Sequence, residues 1–523
     1  MTKDGLLPST ADALLREAAR CRPDAPALWR DGKSTCYAEL DRRVERAAAW
    51  LRGTCPLRGS RIAVWLDKRV DTVVALFAAM RAGHVALPVN PALRAPQVLA
   101  CLADARAALL ITDSGRLQAL AAAGTMPDAI AWRMVDVAGE DWRAASETDP
   151  APLAPLTRDA EELAILFYTS GSTGAPKGVM LTHANLLAGV SAVNAYLGNC
   201  ADDRLLAALP LSFDAGFSQL TTAFAAGASV VLLDHLFPAD VLAAIEDYGV
   251  TGITAVPPLY LQLLRATGAR PRGGTSLRYF ASTGGHLPAE GWEALRRAWP
   301  QAEPHSMYGL TEAFRASQLP PADFERKPGS VGIALPGGTR LHVLRPDGTA
   351  CAAGEPGELV QQGPLVARGY WNDPGRSALR FRPGPDGAPA VWSGDTLYRD
   401  EEGYLWFVGR DDEQIKTSGY RVSPTEVESA AAAAGCADCV ALGMPDALLG
   451  QAVVLVVEGG DTAALSAALR ATLPAWMVPR RIESWRGALP RNANGKFDRV
   501  LIRQHLVSRL AAAPTGYADD GND

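Results

Sequence analysis

Little in this chain ties it to a membrane, to nucleic acid or to an oxidising compartment. No uninterrupted apolar run approaches the ~18 residues that a spanning helix needs, so no membrane span is expected. Lys and Arg total 51 against 57 Asp and Glu, a formal charge of −6. Without a basic excess, nothing in the charge calls for nucleic acid or an anionic bilayer. The eight cysteines are scattered over 523 residues, a pattern of reduced thiols rather than a disulfide framework. Cys436-Ala437-Asp438-Cys439 is a single Cys-x-x-Cys; with no second pair at useful spacing it cannot fill a tetrahedral zinc site, and it reads as structural. Met1-Thr2-Lys3-Asp4 carries no apolar core of a leader peptide. A cytoplasmic protein is expected.

What is present is an ordinary globular composition, 48% hydrophobic and 21% charged. The length is too great for one core, so two or more domains are expected. Apolar strands and amphipathic helices alternate from residue 9 to about 110 and again from 200 to 320. Arg61–Leu66 and Val85–Val89 read as strands, and Val70–Gly83 as a helix closed by glycine. Ser9-Thr10-Ala11-Asp12 offers a helix N-cap. Such alternation argues for layered α/β structure. Residues 115 to 160 read as a helix and a connection. Residues 330 to 408, rich in glycine and short strand patterns, suggest a β-rich subdomain. A small α+β unit follows to about residue 510, and 511–523 lacks apolar anchors and reads as a disordered tail. The expected division is 1–410, 411–510 and that tail.

The chain is organised around Thr169-Ser170-Gly171-Ser172-Thr173-Gly174-Ala175-Pro176-Lys177-Gly178. An apolar strand pattern, Leu163–Tyr168, precedes it, and a second short apolar run follows. Glycines let backbone approach a bound group closely. Hydroxyls and backbone N–H groups donate to phosphate oxygens, and a lysine adds a point charge. On physics alone this is a phosphate-cradling loop. It is not a Walker A loop, which needs Gly-Lys-Ser/Thr, nor a Gly-x-Gly-x-x-Gly fingerprint.

The stretch resembles the signature loop of the adenylate-forming superfamily, which includes acyl-CoA synthetases, luciferases and the adenylation domains of nonribosomal peptide synthetases. There the loop handles the β- and γ-phosphates of ATP. The resemblance extends to six further stations. Ser306-Met307-Tyr308-Gly309-Leu310-Thr311-Glu312 is similar to the family's Tyr-Gly-x-Thr-Glu motif. It implies that Tyr308 stacks on adenine, Thr311 meets phosphate and Glu312 holds Mg²⁺. Gly284-Gly285 resembles the segment lying along the adenine. Ser393-Gly394-Asp395-Thr396 is similar to the motif whose aspartate accepts from both ribose hydroxyls. Gly409-Arg410-Asp411-Asp412 resembles the hinge, with Arg410 at the ribose and Asp412 as pivot. Ser418-Gly419-Tyr420 through Glu428 is similar to the segment presented to the thiol in the second half-reaction. Asn494-Gly495-Lys496-Phe497-Asp498-Arg499 resembles the C-terminal motif. By that likeness Lys496 swings in on the carboxylate and α-phosphate and neutralises the transition state.

The acid's identity rests on Leu209-Pro210-Leu211-Ser212-Phe213-Asp214-Ala215-Gly216-Phe217. Amino-acid-activating relatives carry Phe-Asp here, the aspartate pairing the substrate ammonium, and Asp214 falls on it. A hydrogen-bonded or capping aspartate is the plain alternative. By the same alignment Ser218 and Met307 fall on the pocket, and Arg315 at the start of its wall. Arg315 serves either a second substrate carboxylate or a salt bridge within the protein. Gly216 departs from the usual Ser or Thr of peptide synthetases, and the Ser-Gly-Tyr-Arg segment looks more like acyl-CoA synthetases. The mixture is similar to stand-alone enzymes that load amino acids, often β-amino acids, onto carrier proteins, and to ligases found beside exosortase systems. Only 27 residues follow Lys496 (523 − 496), too few for a carrier domain, so the expected acceptor is a separate carrier protein or CoA. The resemblance thus implies Mg·ATP-dependent adenylation of an acid, expected to be an amino acid, and transfer to a pantetheine thiol. A fatty or aryl acyl-CoA synthetase is the alternative.

Overall fold

A computed structural model describes residues 7–123, 133–147, 156–169, 176–266, 275–410, 414–436, 438–491 and 497–512. The chain is a mixed α/β protein with a large N-terminal domain and a small C-terminal domain. Its contacts divide after Asp412 into two units.

The large unit holds two α/β sheets. The first runs Arg133–Asp136, Ala107–Thr112, Arg61–Val64, Val85–Pro88, Leu163–Thr169 and Lys177–Thr182. Its strands are parallel until the last pair, which is antiparallel. The second has nine strands; Glu303–Tyr308, Tyr279–Ser282, Gly252–Ala255, Arg204–Ala207, Ser229–Leu232 and Pro26–Arg30 lie parallel at its centre. Three of these central strands, Ser229–Leu232, Gly252–Ala255 and Tyr279–Ser282, are buried at every residue, as helices on both faces require. Phe217 of helix Asp214–Ala226 stacks on Phe77 of helix Val70–Arg81 with centroids 5.8 Å apart. It also meets Phe167 of the first sheet edge-on at 6.0 Å, so the two layers share one apolar core. A five-stranded antiparallel sheet, Arg340–Leu344 to Leu405–Arg410, completes the unit and fulfils the β-rich reading.

The small unit is a five-stranded sheet built on the long hairpin Cys439–Asp446 and Gly450–Val457, packed by helices Pro424–Ala433, Thr462–Thr472 and Arg499–Ala512. Its apolar residues form clusters of their own.

Two local expectations are corrected. Residues 115–160 hold not only helix Ser114–Ala122 but an edge strand, Arg133–Asp136, and a further helix, Glu140–Glu147. The strand has four residues, two of them exposed, so it shows no apolar alternation to read. The first helix is Ala13–Cys21; Asp12 stands at its N-cap without a side-chain capping bond. Asp12 is instead buried against Arg158 and Arg81, and these two cations outweigh burial and hold its carboxyl below the usual range. The expected tail, apart from the last two residues of the final helix, lies outside the described residues.

Candidate active site

The glycine- and serine-rich loop joins two antiparallel strands. Thr169 ends the first and pairs with Lys177, which opens the second. Ser170, Gly171, Ser172, Thr173 and Gly174 lie outside the described residues. The hairpin points both flanking side chains inward: Thr169 Oγ1 is buried without a hydrogen-bond partner, and Lys177 is 12% exposed. Lys177 Nζ stands 3.9 Å from Glu312 Oε1 and 4.8 Å from the ring centre of Tyr370. The Tyr370 hydroxyl donates to the same Oε1 at 2.8 Å. Lysine, carboxylate and phenol therefore converge, though they come from three distant parts of the chain. Tyr370 was missed by reading the sequence; its only signal is Gly369-Tyr370-Trp371, a glycine at φ +129° before two aromatics.

Thr311–Ala313 is a single helical turn, and Phe314 follows it at φ 54°, ψ −54°. A non-glycine residue held there costs ~1–3 kcal/mol. The Phe314 ring fills a notch left by Gly189, where an added Cβ would come within 2.3 Å of Cε1. That reversal sends Glu312 toward Lys177 and Arg315 toward Asp214.

Tyr308 ends strand Glu303–Tyr308, and its hydroxyl donates to Asp395 Oδ2 at 2.5 Å. Asp395 is buried, and its backbone N–H is held by Ser393 Oγ at 3.1 Å. The strand carrying it pairs with Leu405–Arg410, setting Asp395 opposite Arg410. The expected adenine and ribose stations are thus brought together. Gly309 packs closely: a Cβ there would lie 3.0 Å from Arg315 Cα. Gly284, at φ +78°, and Gly285 form an exposed turn after strand Tyr279–Ser282. Ser306 pairs in register with Ser282 of that strand.

On the acid side, Phe213 is the N-cap of helix Asp214–Ala226, and Asp214 opens it. Gly216 has a steric cause: a Cβ there would sit 1.9 Å from the Pro210 carbonyl oxygen. Asp214 does not await a cation. Arg315 Nη1 lies 3.2 Å from its Oδ2, with the side chains 15% and 4% exposed for Asp214 and Arg315. Asp214 Oδ1 accepts from the Ala215 N–H at 2.8 Å. Arg315 also donates to the Phe314 carbonyl at 2.6 Å, while its Nε is buried with no acceptor. Met307 is buried, and the Tyr196 hydroxyl donates to its sulfur at 2.7 Å. Burial pushes the Tyr196 phenol up to about 12 against the pull of Arg315. Ser218 is buried in the first turns of the helix, its carbonyl accepting from Thr221 and Thr222.

In the small unit Ser418-Gly419 is the two-residue turn between Ile415–Thr417 and Tyr420–Val422. Both turn residues have positive φ, 52° and 82°, the requirement of a tight I′ hairpin. Lys496 and Asp412 lie outside the described residues. The residues flanking the lysine segment, Arg491 and Phe497, form an antiparallel bridge. Arg499 pairs with Glu428 at 2.7 Å, linking the Asn-Gly-Lys-x-Asp-Arg and Ser-Gly-Tyr-Arg segments. Cys439 is buried and its thiol is pushed up to about 12 by burial. Among the described residues no cluster of three metal-ligating side chains forms and no helix is long and apolar enough to cross a membrane.

Lys177 beside the buried Glu312, and Tyr308 beside Asp395, stand in a fold of the nucleotide-dependent acid-activating ligases. The chain belongs to the AMP-binding enzyme family: residues 15–371 match its main model and 426–496 its C-terminal domain. The family is ATP-dependent and adenylate-forming. A feruloyl-CoA synthase from Amycolatopsis sp is 32% identical, covering 93% of this chain and 97% of that one. The amide bond synthetase McbA from Marinactinospora thermotolerans superposes with a TM-score of 0.83 at 26% identity over 95% of this chain and 99% of its own. VinN in complex with L-aspartate superposes at 0.68 with 30% identity, covering 76% of this chain and 98% of that one. Ligases that use CoA and ligases that use a carrier protein both occur among the relatives.

Proposed function

We propose that this protein activates the carboxylate of an amino acid with Mg·ATP and passes it to a pantetheine thiol of a separate carrier protein or of CoA. A carboxylate oxygen attacks the α-phosphorus, the bond to the β-phosphate breaks, and pyrophosphate leaves. The thiol sulfur then attacks the acyl carbon, AMP departs with the bonding pair, and the thiol proton goes to solvent. Thr169, the 170–174 loop and Lys177 hold the β- and γ-phosphates. Tyr308 stacks on adenine along Gly284-Gly285, with Ser306, Met307 and Gly309 shaping that wall. Asp395 and Arg410 hold the ribose. Glu312, a carboxylate beside Thr311, is suited to Mg²⁺, which prefers a carboxylate plus phosphate oxygens; the ion would supply positive charge against the triphosphate. Lys496 brings its ammonium to the carboxylate and α-phosphate. The small domain then turns about Asp412 and presents the Gly419 segment. Alternation of this kind lets one site exclude water first and admit a long thiol second.

The observation that carries the amino-acid reading is the Asp214–Arg315 pair. Buried ions persist when every charge has a partner. An amino acid with a second carboxylate can open the pair without leaving an orphan: its ammonium meets Asp214, that carboxylate meets Arg315, and the remaining carboxylate reacts. The partnerless Arg315 Nε supports a further acceptor. VinN, with L-aspartate in its complex, is the relative that agrees. Pyrophosphate exchange over a panel of L-aspartate, β-alanine, 3-aminobutyrate, ferulate and benzoate tests this. Exchange confined to the amino acids, strongest with L-aspartate, is expected. The second reading, an aryl or fatty acyl-CoA synthetase, is favoured by one fact: Asp214 already has its cation and asks nothing of the substrate. Exchange with ferulate alone would select it.

A further inference from the structure

Lys68 stands apart from every residue assigned above. It lies between strand Arg61–Val64 and helix Val70–Arg81, is 6% exposed, and reaches from the first sheet to the second. Its ammonium donates to the carbonyls of Ala208 at 2.9 Å and Leu209 at 3.4 Å. Asp234 Oδ1 is 3.9 Å from the ammonium and accepts from the Lys68 backbone N–H at 3.3 Å. Burial lowers the ammonium to about 8, Asp234 and Asp67 opposing the drop and Arg30 adding to it. At neutral pH it remains mostly charged. A charge buried this deeply is costly and persists where it holds something.

What it holds is the turn between strand Arg204–Ala207 and helix Asp214–Ala226. The far side of that turn is fixed. The Pro210 carbonyl accepts from the Phe213 N–H at 3.0 Å and lies against the bare face of Gly216. Gln219 Nε2 ties the helix back to the Leu206 carbonyl at 2.6 Å. On the near side packing is incomplete, although Ala208, Leu209 and Leu211 are buried. A cavity of about 50 Å³ lies there, lined in part by Lys68, Thr72, Pro210, Ser212 and Asp234. Ser212 Oγ is buried with no hydrogen-bond partner. With this gap behind it, the turn is held by the lysine's two hydrogen bonds as well as by the burial of Ala208 and Leu211 in the core.

We propose that Lys68 is a positioning residue for the acid site: by anchoring the Ala208–Leu209 carbonyls across the two sheets, it sets where Phe213 and Asp214 stand. It touches neither nucleotide nor acid. The inference rests on the reading that residues 213–218 line the acid site, and not on which acid is bound.

Lys68→Met, Lys68→Arg and Asp214→Ala are compared in the full chain by pyrophosphate exchange and thermal melting. L-aspartate is the probe, replaced by ferulate if L-aspartate gives no exchange. In Lys68→Met the KM for the acid should rise about tenfold or more, with the KM for ATP within about twofold and only a modest fall in melting temperature as two buried carbonyls lose their donor. Lys68→Arg should restore the acid KM to within about threefold. If Lys68→Met does not fold, Lys68→Gln, whose shorter amide cannot span both carbonyls, carries the same comparison. An unchanged acid KM, or equal rises for acid and ATP, overturns the proposal when Asp214→Ala raises the acid KM. If Asp214→Ala leaves that KM unchanged, the acid-site reading fails and the Lys68 role falls with it.

Discussion

The proposed nucleotide side and the proposed acid side of this site are built on different principles. On the nucleotide side each assigned residue sits in a short motif, and the fold only has to bring motifs together: Lys177 to Glu312, Tyr308 to Asp395. On the acid side the decisive contact joins two residues 101 positions apart, Asp214 and Arg315. A surface that grips a constant ligand can be written locally, because turn geometry and phosphate chemistry are local. A pocket that selects a variable ligand also depends on charge balance across the core: local stretches pointed to Asp214 and to Arg315, but not to their pairing.

Lys496 should belong to both sides, so its loss is the largest effect expected. Lys496→Ala should slow adenylate formation by about 100- to 1,000-fold. Thiol capture from a synthetic acyl-adenylate should change little. Equal loss in both half-reactions, read by single-turnover kinetics, would contradict its role.

Next comes the acid-side pair. Asp214→Ala or Arg315→Ala leaves a buried charge alone, and each should lower stability by about 3–5 kcal/mol. Each should also lower kcat/KM for the acid by about tenfold or more, with the ATP KM nearly unchanged. The double variant should recover part of the stability, since no charge is then orphaned. Additive losses in denaturant melts would show that the two residues are not coupled.

A smaller effect is expected at Tyr370→Phe, which removes a hydrogen bond to a carboxylate. The ATP KM should rise up to about tenfold while the acid KM holds. Movement of the acid KM instead would erase the distinction between the two sides.

The last effect lies in the C-terminal domain and should leave both KM values unchanged, touching stability alone. Burial raises the Glu426 carboxyl to about 7 from its ordinary value of 4.5. The folded state thus holds this proton more tightly than the unfolded state. Its contribution is fully present below pH ~4.5 and is lost as pH rises through ~7. It amounts to a few kcal/mol at most. Glu426→Gln should flatten that part of the stability profile, measured by urea melts from pH 4 to 8.

The same contrast explains what could be read in the sequence. The strands Arg61–Val64 and Val85–Pro88 and the β-rich stretch past residue 330 were legible from apolar runs and glycine spacing. The edge strand Arg133–Asp136 was not, because half of it faces water and carries no pattern. Glu312 and Asp395 were singled out from their neighbours, and the fold sets them beside Lys177 and Tyr308. Tyr370 was not, because its role arises only where the hairpin and the 311–315 turn meet it. Asp214 was read as the partner of a substrate ammonium, and Arg315 as the partner of a second substrate carboxylate or of a salt bridge within the protein; in the fold the two pair with each other. The cause of Gly216, the Pro210 carbonyl 1.9 Å from where a Cβ would be, is invisible without coordinates.

Pyrophosphate exchange with L-aspartate, in the wild-type chain and in the Asp214→Ala, Arg315→Ala and double variants, tests the account most directly. Robust wild-type exchange that each single substitution cuts by about tenfold or more is the predicted result. No exchange with L-aspartate, together with ferulate exchange that survives all three variants, would contradict it.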